Sequence, residues 1–121
     1  MTRIPSELME QIALCNYLDA TGLLWCHVPN GMKMGRTAGK NMQRQGMKSG
    51  VPDVLIFVPC QDYNGLAIEL KRTVGGRVSD NQVKWLHDLE QCGWCAVVCY
   101  GAEAAIEVIK ECYDGEENGN N

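Results

Sequence analysis

The residue pattern predicts an α/β fold, a sheet sandwiched by helices, and two observations carry that reading. Three short apolar runs, at 51–60, 66–72 and 94–100, have the length of strands, and their near-continuous apolar character implies burial on both faces. Three other segments, at 6–20, 79–92 and 102–112, repeat their apolar residues with a helical period. With 121 residues, 45% of them hydrophobic, the chain has material for one core, expected to span 1–113.

The first helix starts at Pro5 and Ser6 and stops at Gly22. Leu8, Ile12, Leu14, Cys15 and Leu18 form its apolar face, and Glu7 and Gln11 fall inside that arc, with Glu10 at its edge. Acids on a core-facing stripe point to a site, so Glu7 is the first choice for a ligand and Glu10 the second. A short strand follows at 23–28, closed by Pro29, Asn30 and Gly31.

Residues 31–50 then lack apolar periodicity and carry Lys33, Arg36, Lys40, Arg44 and Lys48 without one acid. That spacing suits a flexible arm that neutralises phosphates, with a short helix near 40–45. The runs at 51–60 and 66–72 are read as a hairpin through 60–65. The second run ends in Arg72, and the loop 73–78 carries Arg77. Ser79 with Gln82 has the capping-box pattern of a helix start, ahead of a buried face of Val83, Leu86 and Leu89. Gly93 ends that helix. The last helix turns Ala105, Ile106 and Ile109 inward, and 114–121 is expected to be an acidic disordered tail.

The formal net charge is −4, yet it is unevenly spread. Residues 1–84 hold ten Lys and Arg against seven Asp and Glu, whereas 85–121 hold one basic residue against eight acidic ones. A basic face on an acidic protein fits a polyanionic partner such as a nucleic acid. No apolar stretch approaches the roughly 20 residues of a membrane helix. Arg3 followed by Glu7 and Glu10 is neither a signal nor a transit pattern, and seven irregularly spaced cysteines read as reduced thiols. A cytoplasmic protein is the expectation. Cys92-Gly93-Trp94-Cys95 closes a helix and enters a strand, the reverse of what a thioredoxin-like motif needs, and no second ligand pair supports zinc.

The chemistry concentrates in Asp53, Glu69 and Lys71. Alternation along a strand puts Glu69 and Lys71 on one face, and hairpin registers pairing Asp53 with either residue add its carboxylate to that face. Two carboxylates beside apolar strands are costly unless compensated, and their hard oxygens suit Mg²⁺ or Mn²⁺. Such an ion polarises a phosphodiester and activates water. Glu7 adds a third carboxylate, and Gln82 either caps its helix or faces the site.

Pro52-Asp53 followed by Glu69-Leu70-Lys71 resembles the PD-(D/E)xK nuclease signature. The surroundings, Glu7 with Gln11, Ser49-Gly50-Val51-Pro52-Asp53, Ala67-Ile68-Glu69-Leu70-Lys71 and Ser79 with Gln82, are similar to its VRR-NUC branch of virus-type replication-repair nucleases. The resemblance implies a restriction-endonuclease-like mixed sheet flanked by helices. It carries over catalytic roles to Asp53, Glu69, Lys71 and Gln82, and metal ligation to Glu7, Asp53 and Glu69. It also implies a homodimeric, metal-dependent endonuclease acting on branched DNA such as Holliday junctions. The alternatives are a junction-binding module without catalysis and a restriction-type or end-processing nuclease.

Overall fold

In the computed structural model, which describes residues 3–29 and 35–119, the elements run α1 (Glu7–Thr21), β1 (Trp25–His27), α2 (Arg36–Arg44), β2 (Val54–Ile56), β3 (Leu66–Lys71), α3 (Asp80–Gln91), β4 (Cys95–Tyr100) and α4 (Ala102–Gly119). The strands form one sheet in the order β1-β2-β3-β4. β1 pairs antiparallel with β2 and β2 antiparallel with β3, whereas β4 returns parallel to β3 through α3, as a crossover helix allows. The expected α/β class and the expected hairpin are both present.

All six residues of β3 are buried, because this strand has neighbours on both edges and helices over both faces. Leu66, Ile68 and Leu70 belong to the core cluster with Val54 and Ile56 of β2, Leu14 and Leu18 of α1, and Ala105 and Ile109 of α4. Alternation sends Ala67, Glu69 and Lys71 to the opposite face, towards α3.

Several expectations change. In α1 the buried stripe is Glu10, Leu14 and Leu18, at four-residue spacing, while Leu8 and Ile12 are 67% and 48% exposed. The first turn extends past the packed part of the helix, which leaves Glu7 exposed. The strand expected at 23–28 is three residues long. The run 51–60 pairs only over Val54–Ile56, because the chain then turns tightly through the Cys60 to Tyr63 bridge. The basic arm contains helix α2, which starts earlier than the short helix expected near 40–45, and its Arg36, Lys40 and Arg44 recur at four-residue spacing. Lys33 lies outside the described residues.

In α3 no residue is buried: Val83 is 54% exposed, and Leu86 and Leu89 are half-buried. In β4 only Cys99 is buried, since this strand lies at the sheet edge. Ala105 and Ile109 are buried as expected, whereas Ile106 is half-buried. Helix α4 continues to Gly119 through the segment read as a disordered tail; no proline interrupts it, and each residue added to a growing helix contributes its own backbone bond. Among the described residues no helix is long and apolar enough to cross a membrane.

Candidate active site

The ladder that pairs Val54 with Ile68 continues so that Asp53 lies level with Glu69. Of the two registers compatible with the sequence, this one brings the carboxylates together. Asp53 is held from both ends of its residue. Its Oδ2 accepts the Leu70 backbone N–H at 2.7 Å, and its carbonyl accepts the Val28 N–H at 2.8 Å and sits 2.9 Å from His27 Nδ1.

The loop before Asp53 is shaped by Gly50, whose φ of +93° disfavours any side chain. A Cβ there would also lie 2.7 Å from the Asn81 backbone. This close approach seats the loop on the start of α3, where Asn81 Nδ2 donates to Ser49 Oγ at 3.2 Å. The sequence names Ser49 and Gly50 as parts of a motif, but nothing in it marks Asn81 as their partner.

Glu69 is 1% exposed. Its Oε2 accepts Gln82 Nε2 at 3.0 Å and lies 3.3 Å from the Lys71 ammonium, while its Oε1 is buried without a hydrogen-bond partner. Burial, and then the charge and contact of the Asp53 carboxylate, push the Glu69 carboxyl up to about 8, with Lys71 pulling the other way. Lys71 is itself 8% exposed, and Gly76 lets the following loop fold over it: a Cβ there would come within 2.7 Å of Lys71 Cβ.

These residues fit a divalent cation. A buried carboxylate oxygen without a donor, beside a second carboxylate, is what a hard cation would satisfy, and Mg²⁺ commonly takes one or two carboxylates and fills its remaining positions with water and phosphate. A third acid does not join them: among the described residues no group of three His, Cys, Asp or Glu side chains is arranged to hold a metal.

Gln82 serves both roles that the sequence left open. Its Oε1 accepts the Ser79 N–H at 2.8 Å and its own N–H donates to Ser79 Oγ at 3.2 Å, completing the capping box, while Nε2 reaches Glu69. Glu7 is exposed on the first turn of α1, so its expected place on the core-facing stripe is corrected. Glu10 is the buried acid of that helix, and its Oε1 accepts the Ala102 N–H at 3.0 Å, a carboxylate at the positive end of α4. Its spacing to Leu14 and Leu18 is the sequence signal for that burial. Arg36, Lys40, Arg44, Lys48, Arg72 and Arg77 are all exposed. The first three share a face of α2, Arg72 follows β3 directly, and Arg77 stands in the loop after it.

Three comparisons bear on this arrangement. The VRR-NUC domain family model matches residues 5–103. A solved structure described as a VRR_NUC domain protein superposes with a TM-score of 0.80 at 24% identity, over 93% of this chain and 92% of that one, which is consistent with a restriction-endonuclease-like fold. No curated protein matches the chain.

Proposed function

We propose, on the premise that the chain belongs to the VRR-NUC domain family and so to a nuclease lineage, that it is a Mg²⁺- or Mn²⁺-dependent DNA endonuclease acting on branched substrates such as Holliday junctions, working as a homodimer in the cytoplasm. The observation that carries the reading is the buried Glu69 Oε1, without a partner and beside Asp53, while the other oxygen of the same carboxylate is held by Gln82 and Lys71.

A divalent ion at Asp53 and Glu69 would supply Lewis-acid polarisation of the scissile phosphate. The chain's own groups do the positioning. The Leu70 N–H fixes one oxygen of Asp53, and Gln82 fixes Oε2 of Glu69, so both carboxylates are oriented before any ligand arrives. The Lys71 ammonium, tethered to Glu69, is placed to stabilise negative charge developing on the phosphoryl oxygens. The exposed cations Arg36, Lys40 and Arg44 on α2, with Lys48, Arg72 and Arg77, supply phosphate contacts that orient DNA without reading its sequence.

The test is cleavage of end-labelled four-way junctions and linear duplexes in Mg²⁺ or Mn²⁺ by the full chain and its Asp53→Asn and Glu69→Gln variants. Cleavage of junctions that is lost in both variants is expected. Cleavage surviving both changes overturns the site, and binding without any cleavage moves the protein to a junction-binding module. A linear duplex cut as readily as a junction marks an end-processing or restriction-type enzyme instead.

A further inference from the structure

His27 belongs to none of the motifs that mark the site, yet its ring touches the residue at their centre. It is the last residue of β1, paired with Val54, and Asp53 lies one step beyond that pair. β1 is three residues long, stands at the edge of the sheet and leaves His27 exposed. A short ladder ending at an edge is where a sheet opens most readily. The backbone that carries Asp53 therefore needs holding.

Two donors reach the Asp53 carbonyl across that end. The Val28 N–H donates at 2.8 Å, and His27 Nδ1 lies 2.9 Å away. A carbonyl oxygen only accepts and has two lone pairs, so both are used and His27 must carry a proton on Nδ1. In the neutral ring Nε2 then keeps the lone pair. The same residue is also under an electrostatic push. The Asp53 carboxylate disfavours charge on Glu69, and Glu69 is buried and cannot give way, so without a cation repulsion drives Asp53 outward. The Leu70 N–H restrains its side chain through Oδ2, whereas Val28 and His27 restrain its backbone. Asp53 is thus anchored to β3 on one side and to β1 on the other.

We propose, resting on the reading of Asp53 and Glu69 as ligands of a divalent cation, that His27 is a positioning residue for Asp53. Its ring, as the Nδ1–H tautomer, fixes the Asp53 backbone so that the cation meets two carboxylates already in place. A ligand held in its bound conformation beforehand costs less to order when the cation arrives. His27 acts through the Asp53 backbone and is neither a ligand nor a catalytic residue. Val28 supplies its bond whatever residue stands at 27, so the ring adds one neutral hydrogen bond and an effect of that size.

Calorimetric titration of the full chain with Mn²⁺, without DNA, gives the affinity, and proton–nitrogen correlation NMR gives the tautomer of the ring. At about pH 8.5, where an ordinary histidine is neutral, His27 should show the Nδ1–H form, whereas an unrestrained imidazole favours Nε2–H. His27→Ala should weaken Mn²⁺ binding roughly 3- to 10-fold, with a urea midpoint close to that of the wild type. His27→Asn places an amide N–H where Nδ1 stood and should restore the affinity. His27→Gln places it where Nε2 stood and should bind like the alanine variant. That contrast separates positioning from a general role in folding, and the two amide variants carry the test if the alanine variant does not fold. An Nε2–H ring overturns the proposal, as does an asparagine variant that binds no better than the glutamine one. A wild-type chain that binds no Mn²⁺ defeats the cation reading of Asp53 and Glu69 and this proposal with it, whereas Mn²⁺ binding indifferent to residue 27 defeats the proposal alone.

Discussion

Replacing Glu69 by glutamine should make the stability of the metal-free protein nearly independent of pH over a range where the unmodified protein weakens. The wild-type Glu69 carboxyl is pushed from 4.5 up to about 8, chiefly by burial and secondly by the Asp53 carboxylate beside it. The folded chain therefore keeps this proton to higher pH than the unfolded chain does. Between about pH 4.5 and 8 the folded state binds more protons, so stability is greatest below the unfolded value and is lost as pH rises through the folded one. A displacement of that size has a ceiling of roughly 5 kcal/mol. Movement of Lys71 and of water towards the ionised carboxylate offsets part of it and leaves about 2 to 3 kcal/mol. In a chain of this length that corresponds to about 10 °C in Tm.

The assay is thermal unfolding of both proteins in a chelator from pH 4.5 to 9, taking the difference between the two curves so that other acids cancel. The difference should grow with pH and level off near pH 8 to 9. Adding Mg²⁺ at the upper end should restore stability to the wild type and leave Glu69→Gln unaffected, since a ligand stabilises only the state that binds it. Two parallel curves would refute the reasoning, because they would mean that the Glu69 carboxylate ionises as easily folded as unfolded.

Other substitutions test separate parts of the site. Gly50→Ala puts a side chain at a φ of +93° and within 2.7 Å of the Asn81 backbone, so urea denaturation should register a loss of roughly 2 to 4 kcal/mol. Gln82→Ala removes the capping box and the bond that orients Glu69; a stability loss of about 1 to 2 kcal/mol is expected, and Mg²⁺ affinity by calorimetry should fall roughly 10- to 100-fold. Replacing Arg36, Lys40 and Arg44 together by alanine should weaken binding to every DNA sequence alike and flatten the slope of log affinity against log salt by about 2 to 3. Glu10→Ala deprives the Ala102 N–H of its acceptor and should lower stability by roughly 1 to 3 kcal/mol, whereas Glu10→Gln should retain much of it.

Periodicity was enough to read β3, because Glu69 interrupts an apolar run that both its faces bury, and an acid there has few reasons to exist other than chemistry. The register was not readable in the same way. Asp53 level with Glu69 and Asp53 level with Lys71 give the same alternation, and only the fixed path of the hairpin chooses between them. The position of an element within the whole is also absent from local pattern. β4 has the apolar content of a central strand, yet it lies at an edge and is half-buried. Helix α1 carries acids at both 7 and 10 within reach of one broad face, and which of them is buried depends on where the helix begins to overlap its neighbours. The described contacts begin late enough to bury Glu10 and leave Glu7 in solvent. In α2 the basic segment reads as an arm with a short helix near 40–45, although the spacing of Arg36, Lys40 and Arg44 already carries the helical period back to residue 36; one regular face holds these three cations at fixed intervals. The polar residues of the fold divide along the same line. Those whose signal is a polar group forced into an apolar run, Glu69 and Lys71, are readable from a single sequence, while those placed by the meeting of distant segments, Glu10 at Ala102 and Asn81 at Ser49, become visible only once the chain is folded.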